Sequence, residues 1–326
     1  MPFHLPPKWY RDTTEKLVDD LEKELGKLTA ETAWRYMYAL VGWFQSVDGQ
    51  RWFHLNDRLT QKGGQEEAKR GEDFLRRNLA PKSKVSLEDL VDQIGKKYDA
   101  EWVKQGNKSR SWERARPNTT GNSMEVSLQV LIHRINGVLP SRAPKLNTLR
   151  GFELAPPGYH RQPDLVLFTP ADFRLIISTK WTLRKDRLGT YLHEAYFYKQ
   201  RRPDVQIAFV VSEYNLNILE NLVRDPLVER VYHLHLPMLL EVHEPFAKYR
   251  TAGSVPLAAL LKSNPDRKGF GRWLGLSDRL FDLSTLFQDI DGLKPAAGPA
   301  PEPDEAPAEE DQEDEDEADD TQLRLT

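Results

Sequence analysis

The spacing of apolar residues divides this chain into a helical first third, a mixed middle and a polar end. Between Thr13 and Gly26, Leu17, Leu21 and Leu25 recur every four residues, which predicts an amphipathic helix. Thr29 to Gln45 predicts a second, whose broad apolar face carries Trp34, Tyr36, Met37, Leu40, Val41 and Phe44, so the two are expected to pack together. Trp52 and Phe53 prolong this aromatic density and are assigned to the core. Gln61 to Ala80 reads as a polar surface helix weakened by Gly63, Gly64 and Gly71. Ser86 to Lys97 is a short amphipathic helix built on Leu87, Leu90, Val91 and Ile94, with Ser86 marking its start.

Lys104 to Arg116 lacks any apolar period and is expected as a loop or arm, five basic residues around Trp112. Asn122 to Leu139 returns to helical spacing, with Met124, Leu128, Leu131, Ile132 and Ile135 on the buried side. Pro140 to Gln162 comes next as loop or edge strand. Leu165 to Phe168 and Phe173 to Ser178 are apolar runs too short for helices and rich in strand formers. Thr169, Pro170, Ala171 and Asp172 between them have turn chemistry, so the runs are expected to pair as a hairpin. Lys185 to Arg201 predicts a helix through Leu188, Leu192, Ala195, Tyr196 and Lys199. Val205 to Ser212 and Val231 to Leu236 read as buried strands around a helix from Leu216 to Arg224, a strand-helix-strand unit. Val255 to Lys262 and Leu280 to Phe287 are expected as short terminal helices. The sum is an α/β fold, a mixed central sheet flanked by helices, in residues 101–293 behind a helical N-terminal region of residues 1–100.

Composition narrows the chemistry. With 326 residues the chain can bury a substantial core, and with no cysteine it has no disulfide, zinc-thiolate site or thiol nucleophile. Met1 to Lys16 holds no apolar signal segment, and no run approaches the roughly twenty residues that cross a bilayer, so a soluble cytoplasmic protein is expected. Residues 301–326 carry thirteen acids and one base of the chain's 50 and 46, which leaves 37 acids against 45 bases elsewhere, a net of about +8. A basic body suits a polyanionic partner; a routine surface excess is the alternative. From Pro295 onward Pro, Ala and acids offer too little apolar area to offset ordering entropy, so residues 294–326 are expected as a disordered acidic tail. Arg267 to Trp273 is a further basic stretch with aromatics.

Candidate catalytic residues gather between Arg161 and Glu194. Asp164 follows Pro163 and opens the first strand of the hairpin. Ser178 and Lys180, two apart at the end of the second, share a face on the side where Asp164 meets them. An acid beside a lysine is ordinarily a solvated salt bridge, and that reading stays open for the pair alone. The surrounding register adds more: Pro163-Asp164, thirteen residues, Ser178-Thr179-Lys180, then Arg184-Lys185-Asp186-Arg187, and Glu194 fourteen residues beyond Lys180 on the next helix.

This register resembles the active-site signature of the PD-(D/E)XK nucleases. Ser178 stands where that signature normally has an acid, and the departure resembles one branch, the CCGG-recognising type II restriction endonucleases that include NgoMIV and BsaWI. That branch carries Ser there and recruits the carboxylate from the following helix, the place of Glu194. The resemblance implies a restriction-endonuclease-like fold and Mg²⁺-dependent cleavage of double-stranded DNA at a palindrome with a CCGG-like core, leaving 5′-phosphate ends. It implies that Asp164, Glu194 and the backbone carbonyl of Thr179 bind Mg²⁺, that Lys180 positions or helps deprotonate the attacking water, and that Ser178 orients water or phosphate. Glu125, on the helix ahead of the hairpin, is similar to a glutamate that this fold brings to the site; an acid stabilised by the helix dipole is the alternative.

Arg184, Asp186 and Arg187 resemble the family's R-x-(D/E)-R element, and their chemistry suits C·G pairs. Arginine forks match guanine O6 and N7, while aspartate accepts from cytosine N4. Lys104, Lys108, Arg110, Arg114, Arg116 and Lys185 are candidate phosphate contacts, with a merely solvated basic loop as the alternative. A palindromic target implies a homodimer, tetramers also occurring in the family, and a companion DNA methyltransferase in a prokaryotic cytoplasm. His233 and His235 alternate along the expected strand and, with no third ligand nearby, are taken as packed or exposed histidines. Two other readings stay open: a repair or junction nuclease of the same superfamily, and a DNA-binding module whose site has decayed at Ser178.

Overall fold

The computed structural model describes residues 8–42, 65–106, 109–153, 162–168, 172–183, 185–243 and 278–293. Lys8–Leu25 (α1) and Ala33–Gly42 (α2) form the expected N-terminal pair. Gly26 closes α1 in the left-handed region at φ +84° and returns its N–H to the Glu22 carbonyl at 2.9 Å. Gln65–Asn78 (α3) is the polar helix. Leu87–Lys104 (α4) starts where expected, the Ser86 hydroxyl accepting the Asp89 N–H at 3.1 Å, and buries Leu87, Leu90, Val91 and Ile94.

Ser109–Asn136 (α5) overturns the expected loop. From Ser109 the basic segment is already helical, and the helix continues through Pro117 and Gly121. Pro117 removes one backbone donor, a loss outweighed further along by the fully buried Met124, Val126, Leu128, Val130, Leu131 and Ile132. The helix stops at Asn136 rather than Leu139 because Gly137 turns left-handed at φ +70°, its N–H bonded to the His133 carbonyl at 2.9 Å.

Six strands form one mixed sheet in chain order. Ser141–Arg142 (β1), Leu165–Phe168 (β2) and Phe173–Lys180 (β3) are antiparallel, with Leu165 opposite Ile177 in the expected hairpin. Lys185–Arg201 (α6), bounded as expected, crosses to Gln206–Val211 (β4), and Leu216–Arg224 (α7) crosses to Arg230–His233 (β5), both strands parallel to β3. Here two expectations fail. His235 caps Leu236–Val242 (α8) instead of alternating with His233 on a strand. Leu280 to Phe287 is not one helix: Leu280–Asp282 (β6) pairs in parallel with Val231 to His233, and Leu283–Leu293 (α9) begins only after it. A three-residue strand has no period of its own, and its neighbour in the sheet decides its conformation.

Helices α1, α2, α4 and α9 pack on α5, which also touches β3. The Tyr38 hydroxyl on α2 bonds to those of Ser212 and Tyr214, and Trp34 stacks on His235 with ring centres 4.0 Å apart. The N-terminal helices are therefore fastened to the carboxyl edge of the parallel strands, where open α/β sheets place ligand sites. One register row crosses that edge: Lys180, Val211, His233, Asp282. Among the described residues no helix is long and apolar enough to cross a membrane. Trp52, Phe53, Val255 to Lys262, Arg267 to Trp273 and residues 294–326 lie outside the described residues.

Candidate active site

Antiparallel pairing in the hairpin sets the start of β2 beside the end of β3, and so sets Asp164 beside Lys180. Asp164 Oδ2 accepts from Lys180 Nζ at 2.5 Å, from the Thr179 N–H at 2.7 Å and from Ser178 Oγ at 3.2 Å. From the other side Ala143, just past β1, donates its N–H to the Asp164 carbonyl at 3.0 Å, holding φ at +43° to do so. The Asp164 and Lys180 side chains each keep 18 % of their surface exposed, so an ion or a phosphate can still reach them.

Helix α6 closes the site. Leu188, Ala195 and Tyr198 form its buried stripe, while Tyr196 faces solvent. Glu194 comes to line one cleft together with Asp164, Ser178 and Tyr191, on a floor of Ile176, Ile207 and Phe209. The Tyr191 ring lies over Lys180 Nζ, 5.2 Å from the ring centre. Glu125, half-buried on α5, belongs to the same electrostatic group. Burial, then the Asp164 charge, push its carboxyl up to about 8, against the pull of Lys180 and Arg142. Burial alone would lower the Lys180 ammonium, but the charge and hydrogen bond of Asp164, then Glu125 and Tyr191, hold it above its ordinary value. Arg142 on β1 is depressed by burial, with Glu125 acting against that. The cluster is thus an Asp164–Lys180 pair beside a Glu125 whose carboxyl is held above the ordinary carboxylate range.

The expected DNA-reading and phosphate-contacting residues are spread wider. Lys185 and Asp186 open α6, and Arg187 is exposed one turn before Tyr191. Arg187, Tyr191 and Glu194 are spaced to share one helix face. Lys104 ends α4 and pairs with Glu101 at 2.5 Å. Arg110, Arg114 and Arg116 lie on the opening turns of α5, their side chains not among those described, and Lys108 and Arg184 fall outside the described residues.

Three residues escaped the sequence reading. Tyr191 stands three before Glu194, a usable signal, but an aromatic at helical spacing reads first as core. Arg142 is a lone arginine in an irregular connection and gave no signal. Glu213 is fully buried just past β4: its Oε2 accepts the Leu183 N–H at 2.8 Å and its Oε1 the Asn215 N–H at 2.7 Å. It thereby ties the segment leading into α6 to the start of α7.

The donors that meet in the cleft are carboxylate oxygens, the chemistry of a hard cation such as Mg²⁺. Among the described residues no three of His, Cys, Asp or Glu gather as a closed cage. Magnesium keeps several waters and takes one or two carboxylates, so the donor set fits it.

No family model matches the chain, and no curated protein does. Solved structures to which it is similar include a complex of the restriction endonuclease PspGI with substrate DNA, at 12% identity and a TM-score of 0.39, covering 72% of this chain and 89% of that one. Another is metal-depleted Ecl18kI in complex with uncleaved DNA, at 13% identity and a TM-score of 0.24, covering 86% of this chain and 99% of that one. Likeness of this degree assigns no role to any residue.

Proposed function

We propose that this chain is a Mg²⁺-dependent type II restriction endonuclease that cuts both strands of DNA at a palindrome with a CCGG-like core, leaving 5′-phosphate ends. The observation that carries the reading is that Asp164 and Glu194 line one cleft while Lys180 is bonded to Asp164, with Ser178 in the position the signature gives to an acid. Held by Asp164, Glu194 and the Thr179 carbonyl, Mg²⁺ would polarise the phosphate and make a bound water acidic. The Lys180 ammonium offsets charge that develops on the phosphorane-like centre, and Ser178 Oγ, anchored on Asp164, orients phosphate or water. Glu125 stands behind these groups, its carboxyl driven up by burial and by the Asp164 charge.

Arg184, together with Asp186 and Arg187 at the start of α6, is proposed to read C·G pairs, so that the helix carrying Glu194 would link recognition to cleavage. Lys104, Lys108, Arg110, Arg114, Arg116 and Lys185 are proposed phosphate contacts. The working assembly is a homodimer, or a tetramer of two such pairs, with a methyltransferase protecting the same site in a prokaryotic cytoplasm. Residues 101–293 are proposed as the nuclease core, behind the helical N-terminal region of residues 1–100.

The test is digestion of a plasmid of known sequence with Mg²⁺ or with EDTA, followed by sequencing of the fragment ends. Discrete fragments with a shared CCGG-containing end are expected with Mg²⁺ only. Structure-dependent nicks point instead to a repair or junction nuclease, and DNA binding without cutting to a decayed module. Asp186→Ala is expected to keep the fold and lose target cleavage, since a lost base contact costs about 1 to 3 kcal/mol of discrimination.

A further inference from the structure

One aromatic ring in the cleft has no part in the reaction as proposed. Tyr191 is half-buried, lies on the helix face of Glu194 and lines the cleft with Asp164 and Ser178. Its ring is within cation–π reach of Lys180 Nζ, at 5.2 Å from the ring centre, and the same ammonium is bonded to Asp164 at 2.5 Å. A lysine ammonium is a strongly hydrated point charge on a flexible stem, so a single hydrogen bond leaves it several rotamers from which to choose. The ring removes that freedom on the side facing α6.

We propose that Tyr191 is a positioning residue for Lys180: its ring face keeps the ammonium on Asp164, beside the cleft that Tyr191 and Asp164 line. The inference rests on the nuclease reading for its consequence in cleavage, but its physical content, a ring that restrains one lysine, does not. The ring carries the effect rather than the hydroxyl, so phenylalanine serves and an aliphatic residue of similar bulk does not.

Tyr191→Phe and Tyr191→Leu separate these contributions in two assays on the full chain. The first is the rate at which a succinimidyl ester acylates Lys180 in metal-free protein, read by peptide mass spectrometry against the exposed lysines as internal standards. The second is single-turnover plasmid cleavage with Mg²⁺, alongside DNA affinity measured in Ca²⁺. Tyr191→Leu is expected to acylate Lys180 several-fold faster and to slow cleavage about tenfold at unchanged DNA affinity, the size of one partly desolvated cation–π contact. Tyr191→Phe is expected to stay within about twofold in both, since the ring face is kept. Acylation in Tyr191→Leu that matches the wild type overturns the proposal, as does a loss in Tyr191→Phe equal to that in Tyr191→Leu. Should the wild type cut no DNA, the nuclease reading fails by itself, and the acylation rates still decide whether the ring restrains Lys180. Should Tyr191→Leu not fold, Tyr191→Met carries the same comparison.

Discussion

Two groups of ionisable side chains sit along the same carboxyl edge of the sheet, and they solve the burial of charge in opposite ways. Around β5 the polar atoms of His233 and Asp282 have fixed partners. The fully buried His233 lies between the Glu213 carbonyl, 3.0 Å from Nε2, and the His235 N–H, 3.1 Å from Nδ1. A carbonyl can only accept and an N–H can only donate, so the neutral tautomer with its proton on Nε2 is the one that fits. Burial drives that ring down to about 4. Asp282 accepts the Leu236 N–H at 2.8 Å, the Ser284 N–H at 3.0 Å and the Ser284 hydroxyl at 2.7 Å. Around β3, in contrast, Glu125 is pressed toward Asp164 with Lys180 and Arg142 as the nearby positive charges, and its carboxyl is driven up. Buried charge by itself therefore does not mark a working site; a carboxyl driven up beside a second one makes the β3 cluster the candidate.

The largest effect that separates the two groups is chemical. Lys180→Ala is expected to lower Mg²⁺-dependent cleavage on the order of 10³-fold, measured in single turnover. Glu213→Ala is expected to act on folding instead. It strands the buried N–H groups of Leu183 and Asn215, and denaturant titration should register a loss of about 3 kcal/mol. A Lys180→Ala variant that cuts normally, or a Glu213→Ala variant of wild-type stability, breaks the contrast.

The next effect is in the pH dependence of stability in EDTA, where the two groups have opposite signs. For His233 the folded value lies below the unfolded one, so the unfolded chain takes up a proton first, and stability falls as pH drops from the ordinary histidine range toward about 4. For Glu125 the folded value lies above the unfolded one, so the unfolded chain loses its proton first. Stability falls as pH rises from the ordinary carboxylate range to about 8 and is level beyond it. Glu125→Gln is expected to flatten the decline on the rising side and leave the acid side unchanged. A variant profile that parallels the wild type would remove Glu125 from the cluster.

The smallest effect concerns Ser178. Its hydroxyl makes the longest of the three bonds to Asp164, and Ser178→Ala is expected to slow cleavage by roughly tenfold or less, one neutral hydrogen bond being worth about 1 kcal/mol.

The same contrast explains what the sequence could disclose. The first strand of the hairpin and α6 were legible to the residue and the second strand to within two, Phe173–Lys180 against Phe173 to Ser178, because a short apolar run, a turn and a long periodic segment are local signals, and Asp164, Ser178 and Lys180 meet as the strand period requires. Glu194 was expected only through the family resemblance, and it lines the cleft with Asp164. The features that stayed hidden depend on partners far away in sequence. Leu280 to Asp282 becomes a strand only because Val231 to His233 is there to pair with it. Ser109 to Gly121 is helical because the buried turns from Met124 onward anchor the helix it belongs to, although its own composition, with Pro117 inside, argues for a loop. Glu213, Arg142 and Tyr191 acquire meaning only from neighbours 30, 17 and 11 residues away, Leu183, Glu125 and Lys180, which no local spacing rule connects.

The central claim is that Asp164 and Glu194 share one divalent cation beside Lys180. It is tested most directly by anomalous diffraction from crystals of the protein with DNA and Mn²⁺. The account predicts a peak in the cleft coordinated by both carboxylates, and its disappearance in Asp164→Ala. A Mn²⁺ site elsewhere on the molecule, with the Asp164–Lys180 pair undisturbed while DNA is bound, would contradict it.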